Sequence, residues 1–112
     1  MELEFGSIHN VNLAPVAGHE QDGRRPVLVV SPTSFNAATG LCWVIPITNG
    51  GNARRIAGFV VDLPEGLRTT GRVLAHQIRT LDMEARGATF VENAPRDFMD
   101  RVSIMLKSIL EG

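Results

Sequence analysis

Three basic spots in this 112-residue chain could hold a phosphate: Arg24-Arg25, Arg54-Arg55, and Arg68 with Arg72. Each follows or lies near a glycine-rich loop. A guanidinium is a planar fork that can hold two phosphate oxygens at once. A fold that gathered the three spots would therefore make an anion-binding patch. Taken singly, exposed arginines are ordinary solvated surface, and a net charge of −1 gives no global sign of a nucleic-acid binder. His9, His19 and His76 lack metal-ligand spacing, so neither a metal site nor a cofactor is expected. The one cysteine, Cys42, lies in an apolar stretch and reads as a plain core thiol. A lone cysteine cannot staple the chain to itself, which points to a reducing compartment. No serine or cysteine nucleophile is evident.

These residues need elements to position them. The length predicts one domain over residues 1–112, large enough for a modest core. Ile8 to Leu13 alternates imperfectly, as a kinked, half-buried strand does. Ala14 to Arg25 reads as a loop, with Pro15, Gly18, Gly23 and several charges. Pro26 to Ser31 is a β-branched run, predicted as a strand buried on both faces and ended by Pro32. Thr33 to Thr39 predicts a short helical turn closed by Gly40. Leu41 to Thr48 predicts a strand whose Pro46 marks an edge or a bulge. A loop at Asn49–Asn52 comes next, then a strand over Gly58–Leu63, a turn at Pro64–Gly66, and one or two linked strands over Gly71–Leu81. Met83 to Arg86 reads as a short helical turn, and Ala88 to Glu92 as a last strand.

Pro95 suits the first position of a C-terminal helix, and Asp97 suits its N-terminal dipole. Phe98, Val102, Met105 and Ile109 form one apolar stripe; Met99, Leu106 and Leu110 form a second beside it. Either both stripes bury in one core, or one covers the sheet while the other meets a second subunit. Many short strands and one terminal helix give an α+β class, mainly β, in a pattern that suits a small barrel. No apolar run approaches the roughly 20 residues that span a bilayer. The acidic start lacks the form of a secretory leader, so a cytoplasmic location is expected.

Several ordered blocks carry a further signal: GHEQDGRRPVLVVSP (Gly18 to Pro32), Phe35-Asn36, PITNGGN (Pro46 to Asn52), RIAGF (Arg55 to Phe59), RTTG (Arg68 to Gly71) and TLDMEARG (Thr80 to Gly87). In these blocks the chain resembles the PemK/MazF toxin family, most closely its Kid/PemK branch. The resemblance implies an SH3-like antiparallel barrel with a C-terminal helix, of the CcdB/MazF kind. It implies the toxin of a type II toxin–antitoxin system, acting as a homodimer. The activity implied is metal-independent, sequence-selective cleavage of single-stranded RNA. The partner implied is a cognate antitoxin, expected to present an acidic, disordered tail.

Such cleavage uses the ribose 2′-hydroxyl as internal nucleophile and leaves a 2′,3′-cyclic phosphate and a 5′-hydroxyl. A base must take the 2′ proton, an acid must protonate the leaving oxygen, and donors must stabilise the phosphorane. By resemblance Arg25, just before Pro26, is the catalytic arginine and Thr48 its partner. His19 matches the histidine of the GHEQ motif, beside Glu20 and Gln21, which could read bases or orient the loop. Phe59 matches a position implicated in RNA contact, with a core phenylalanine as the equal alternative. Arg24, Asn49, Arg55 and Thr70 stand in the matching blocks and join the RNA-binding set.

The chain also departs from the pattern. After Thr-Thr-Gly the Kid-like members carry an arginine and, two residues on, an aspartate; here these are Leu74 and His76. Strand alternation would set Arg72, Leu74 and His76 on one face. On that basis Arg72 is expected to supply the missing cation, and His76 to act as base or acid. The rival reading is an impaired member that only binds RNA or antitoxin. Ser7, His9 and Ala14 replace an acidic residue, a tryptophan and an aspartate in the first strand and at the loop root. The same fold hosts the CcdB gyrase poison, a non-catalytic alternative that depends on a tryptophan near its C-terminus. This chain ends Ile109-Leu110-Glu111-Gly112, and its one tryptophan is Trp43.

Overall fold

The computed structural model describes residues 3–15, 17–18, 23–49 and 59–112. The described strands are β1 (Ser7–Asn12), β2 (Arg24–Val29), β3 (Cys42–Thr48), β4 (Val60–Asp62), β5 (Arg72–Leu74), β6 (Arg79–Leu81) and β7 (Thr89–Asn93). Helix α1 (Thr33–Thr39) lies between β2 and β3, and helix α2 (Arg96–Glu111) closes the chain. All recorded pairings are antiparallel, in the order β4-β5-β3-β2-β1-β7, with β6 paired to β3 beside β5. This is the mainly β, α+β arrangement that the patterning predicts.

The sheet curls around two apolar clusters, and strand alternation decides which residue joins which. Ile8, Leu28, Ile45, Ile47 and Val73 meet Phe98, Met99 and Val102 of α2. Val11, Val27, Val29, Cys42 and Val44 pack on the other face with Leu81 and Met83. Val27, Leu28 and Val29 are thus all fully buried, as a strand covered on both sides requires. Gly40 ends α1 in the left-handed region at φ 72°, with its N–H donated to Asn36 O. Only glycine adopts that conformation without strain.

Pro46 is neither at an edge nor in a bulge. β3 is the central strand, and Pro46 stands opposite Val27 of β2. Val30 N–H donates to Trp43 O, so the odd residues of β3 exchange hydrogen bonds with β2. The N side of Pro46 therefore faces away from β2. There β3 changes partner, from β6 at Cys42–Val44 to β5 at Ile47 and Thr48. Pro46 sits in the interval, where neither ladder needs its missing N–H.

Pro95 is the N-cap of α2, one residue earlier than its expected place. The two stripes of α2 divide by height rather than by face. Phe98, Met99 and Val102, near the start, are buried. Ile109 and Leu110, near the end, are 40% and 79% exposed. Leu106 and Ile109 instead help line a cleft of about 500 Å³ with Val30, Trp43, His76 and Ile78. Trp43 is 44% exposed and meets Phe35 edge-on at 5.8 Å.

Phe98 is fully buried in the cluster that joins α2 to β1, β2, β3 and β5, so its loss would leave a cavity that backbone movement only partly fills. Phe98→Ala is expected to lower stability by about 3–5 kcal/mol, read as a shifted urea midpoint at constant slope.

Candidate active site

Register brings the candidate residues together. The β2–β3 ladder ends where Val27 pairs with Pro46; carried two residues further, that register would set Arg25 level with Thr48. Thr48 pairs with Arg72 across β3 and β5, and Arg72 pairs with Asp62 across β5 and β4. Thr48, Arg72 and Asp62 thus stand in one row over three paired strands, and the continued line of β2 adds Arg25 to it. In-register neighbours share a face. That face is opposite Ile47, Val61 and Val73, which turn into the α2 cluster. At about 4.8 Å per strand, the two arginine backbones lie about 10 Å apart with Thr48 between them. Two guanidinium forks can close on one phosphate across that span. Thr48 is buried, while Arg25 and Arg72 are half-buried.

Gly71 sets the spacing of the row. Its φ is +118°, and a Cβ there would lie 2.1 Å from Thr48 O. Only glycine lets the start of β5 come this close to the end of β3. The same approach lets Asn49 Nδ2 donate to Thr70 Oγ1 at 2.9 Å. Glu92 of β7 holds the preceding residues: Arg68 N–H donates to Oε1 at 3.0 Å, and Thr69 N–H and Oγ1 both donate to Oε2 at 2.7 Å.

His76 does not join the row. β5 ends at Leu74, whose ψ of 83° leaves the strand, and Ala75–Gln77 forms a 3-10 turn. Three residues per turn replace the two-residue pleat, so the alternation that would align Arg72, Leu74 and His76 is lost. Leu74 is buried, and His76 is exposed on the cleft beside α2. Its ring is tilted to that of Phe59, 6.4 Å between centroids, and Phe59 O accepts Ala75 N–H. Phe59 and His76 therefore form a second group. Arg24, one residue off the row, is turned away. Its Nη2 donates to Gly87 O at 3.0 Å and Thr89 Oγ1 at 3.2 Å, which ties β2 across β1 to the start of β7. His19, Glu20, Gln21 and Arg55 lie outside the described residues.

Sequence reasoning did not select the residues that hold the root of the 14–23 loop. Arg79 Nη1 donates to Leu13 O, and Arg86 Nη1 donates to Asn12 O and Ala14 O, at 2.8–3.2 Å. Arg86 stands in the TLDMEARG block, which was its only signal. Asp62 and Glu92 carried none, because their roles depend on strand register.

The substituted first strand is self-consistent. Ser7 Oγ donates to Glu4 O at 2.6 Å, and His9 Nε2 lies 2.9 Å from Ser7 Oγ. The hydroxyl has one proton, so Nε2 is the donor in that contact. The His9 ring is buried and edge-on to Phe90 at 5.6 Å, and Nδ1 has no hydrogen-bond partner. Burial lowers its pKa, so His9 is a neutral wall residue. Burial pushes the Cys42 thiol up to about 11, as an inert core thiol requires.

Residues 4–110 match the family described as PemK-like, MazF-like toxin of type II toxin-antitoxin system. The chain is 50% identical over 110 residues to endoribonuclease PemK of Escherichia coli, covering 97% of this chain and 83% of that protein. The crystal structure of MazF (Form-I) from Deinococcus radiodurans superposes with a TM-score of 0.87 at 38% identity, covering 100% of this chain and 99% of that one. MazE-MazF (Form-III) from the same organism gives 0.83 at 36% identity, covering 99% and 98%.

Among the described residues, His9 and Glu92 couple stability to acid pH. For Glu92, desolvation alone would raise the pKa, but the Thr69 hydroxyl, the Arg68 and Thr69 N–H groups and the Arg68 charge together hold it below 4.5. Both folded values lie below the unfolded ones, so each contribution is complete above the unfolded pKa and is lost as pH falls through the folded value. Thermal stability should begin to fall below pH 6.5 through His9 and fall further below pH 4.5 through Glu92. Melting curves of a Glu92→Gln protein should lack the lower step.

Proposed function

The chain belongs to the PemK-like, MazF-like toxin family of type II toxin–antitoxin systems, and on that premise we propose that the row Arg25–Thr48–Arg72 grips the scissile phosphate of single-stranded RNA. The chain is an endoribonuclease toxin, as are its relatives PemK and MazF. The gyrase-poison reading is not favoured beside relatives that bear the endoribonuclease name.

The single observation that carries the proposal is the shared row, with two cations flanking a hydroxyl at strand spacing. Arg25 and Arg72 neutralise the phosphorane as the 2′-hydroxyl attacks, and Thr48 Oγ donates to a non-bridging oxygen. Because the nucleophile belongs to the substrate, the chain supplies only proton transfer and charge. An imidazole can both accept and return a proton, which gives the acid–base work to His19. His76 lines the cleft beside α2 with Trp43, across β3 from the row, so with Phe59 it stands apart from the phosphate. Asn49 and Thr70 rim the phosphate end of the groove.

A second copy of the chain is proposed to cover the cleft, where Trp43, Ile78, Ile109 and Leu110 are exposed. A cognate antitoxin is proposed to fold an acidic segment over the basic row, in keeping with the MazE–MazF complexes of relatives. Among the described residues no helix is long and apolar enough to cross a membrane. The cytoplasm is proposed as its location because the lone buried thiol suits a reducing compartment.

Mixed-sequence single-stranded RNA incubated with the protein in excess EDTA should yield fragments with 5′-hydroxyl and 2′,3′-cyclic phosphate ends. Arg25→Ala should slow this by about a hundredfold or more; full-rate cleavage by that variant would sink the proposal. His76→Ala should cleave within about twofold of wild type, because His76 faces the cleft and not the row; a loss of about a hundredfold would return it to the mechanism. Leu110→Asp should leave the fold intact and shift the protein from dimer to monomer in sedimentation velocity.

A further inference from the structure

We infer that Glu92 is a positioning residue for RNA cleavage, a clasp that joins the two ends of the sheet and thereby sets the height of Thr70 and Arg72 beside Thr48. This rests on the RNA-cleaving reading above. In the sheet order β4-β5-β3-β2-β1-β7, the β4–β5 hairpin and β7 are opposite ends. Among the described residues no strand ladder joins them. Glu92 spans the gap instead, taking two backbone N–H groups and one hydroxyl from residues 68 and 69, the turn between β4 and β5. Hydrogen bonds to a carboxylate are about twice as strong as neutral ones. These three converge on one side chain.

The clasp matters because of the three residues just beyond it in the chain. Residue 70 receives the Asn49 amide, residue 71 fits under Thr48 O, and residue 72 is the second cation of the row. Leu63 N–H donates to Gly71 O at 2.9 Å, so the turn is fixed on the β4 side as well. Glu92 itself pairs with Ile8 and shares the face of the α2 cluster, opposite the row. It is therefore placed to act on substrate only through the turn it holds. Glutamine at 92 would keep one acceptor oxygen and turn an NH2 donor toward N–H and O–H donors, which opens the clasp with little change of volume.

The test compares Glu92→Gln, Arg72→Ala and the double variant on single-stranded RNA in EDTA, with amide exchange followed by NMR. Glu92→Gln should lower kcat/KM about tenfold, and adding it to Arg72→Ala should cost little more, because both disturb the same guanidinium. Exchange should accelerate at residues 68–72 and not in β1 to β3. A folded Glu92→Gln protein that cleaves within about twofold of wild type, or losses that multiply in the double variant, would overturn the inference. So would exchange that is unchanged, or faster everywhere, which marks a purely structural role. If Glu92→Gln does not fold, Thr69→Val removes one of the three bonds and should give a smaller loss, again absorbed by Arg72→Ala; undiminished cleavage there would overturn it too. Wild-type protein that leaves RNA intact would instead refute the RNA reading, and the exchange pattern alone would then decide on the clasp.

Discussion

The geometry of the site depends on one steric fact: nothing larger than hydrogen fits between residue 71 and the carbonyl of Thr48. The left-handed φ of Gly71 and a virtual Cβ at 2.1 Å from that oxygen make the same demand independently. Because the backbones meet there, Arg72 enters β5 opposite Thr48, and Thr70 comes within reach of Asn49. Arg25 is then set by β2, whose register to β3 is fixed by a core of Val27, Leu28 and Val29. The apolar clusters thus determine the row indirectly. A one-residue slip in either strand would turn a member of the row to the wrong face.

The arginines divide their labour by what surrounds them. Arg25 and Arg72 are half-buried, Arg72 beside Asp62 in register. Arg24, Arg79 and Arg86 donate to backbone carbonyls at the loop roots, where a fork bridges several acceptors. This division explains how a chain of net charge −1 can present a basic site. Charge is concentrated by strand register rather than by composition.

Much of this was legible in the sequence, for reasons that can be named. The doubly buried β2, the glycine that closes α1 and the apolar start of α2 follow from periods of two and 3.6 residues, which are local. Arg25 and Thr48 were reached through motif resemblance, and only the continuation of the β2–β3 register past Val27 and Pro46 relates them. The misread positions depend on distant partners. Pro46 looked like an edge signal because the sequence does not disclose that β3 changes partner at that point. His76 looked aligned with Arg72 because alternation was carried past Leu74 into a 3-10 turn. Glu92 was read only as the end of a strand, since its three donors lie more than twenty positions upstream.

The single tryptophan stands in the wall of the cleft, edge-on to Phe35 and on the opposite side of β3 from Thr48. Its indole is less than half exposed in the isolated chain. The intrinsic fluorescence of this protein is therefore a local optical probe. Its emission colour follows the wetness of the cleft wall, while changes confined to the face of Thr48 and Arg72 leave the indole's immediate surroundings unchanged. The protein carries, without labelling, a way to observe one face separately from the other.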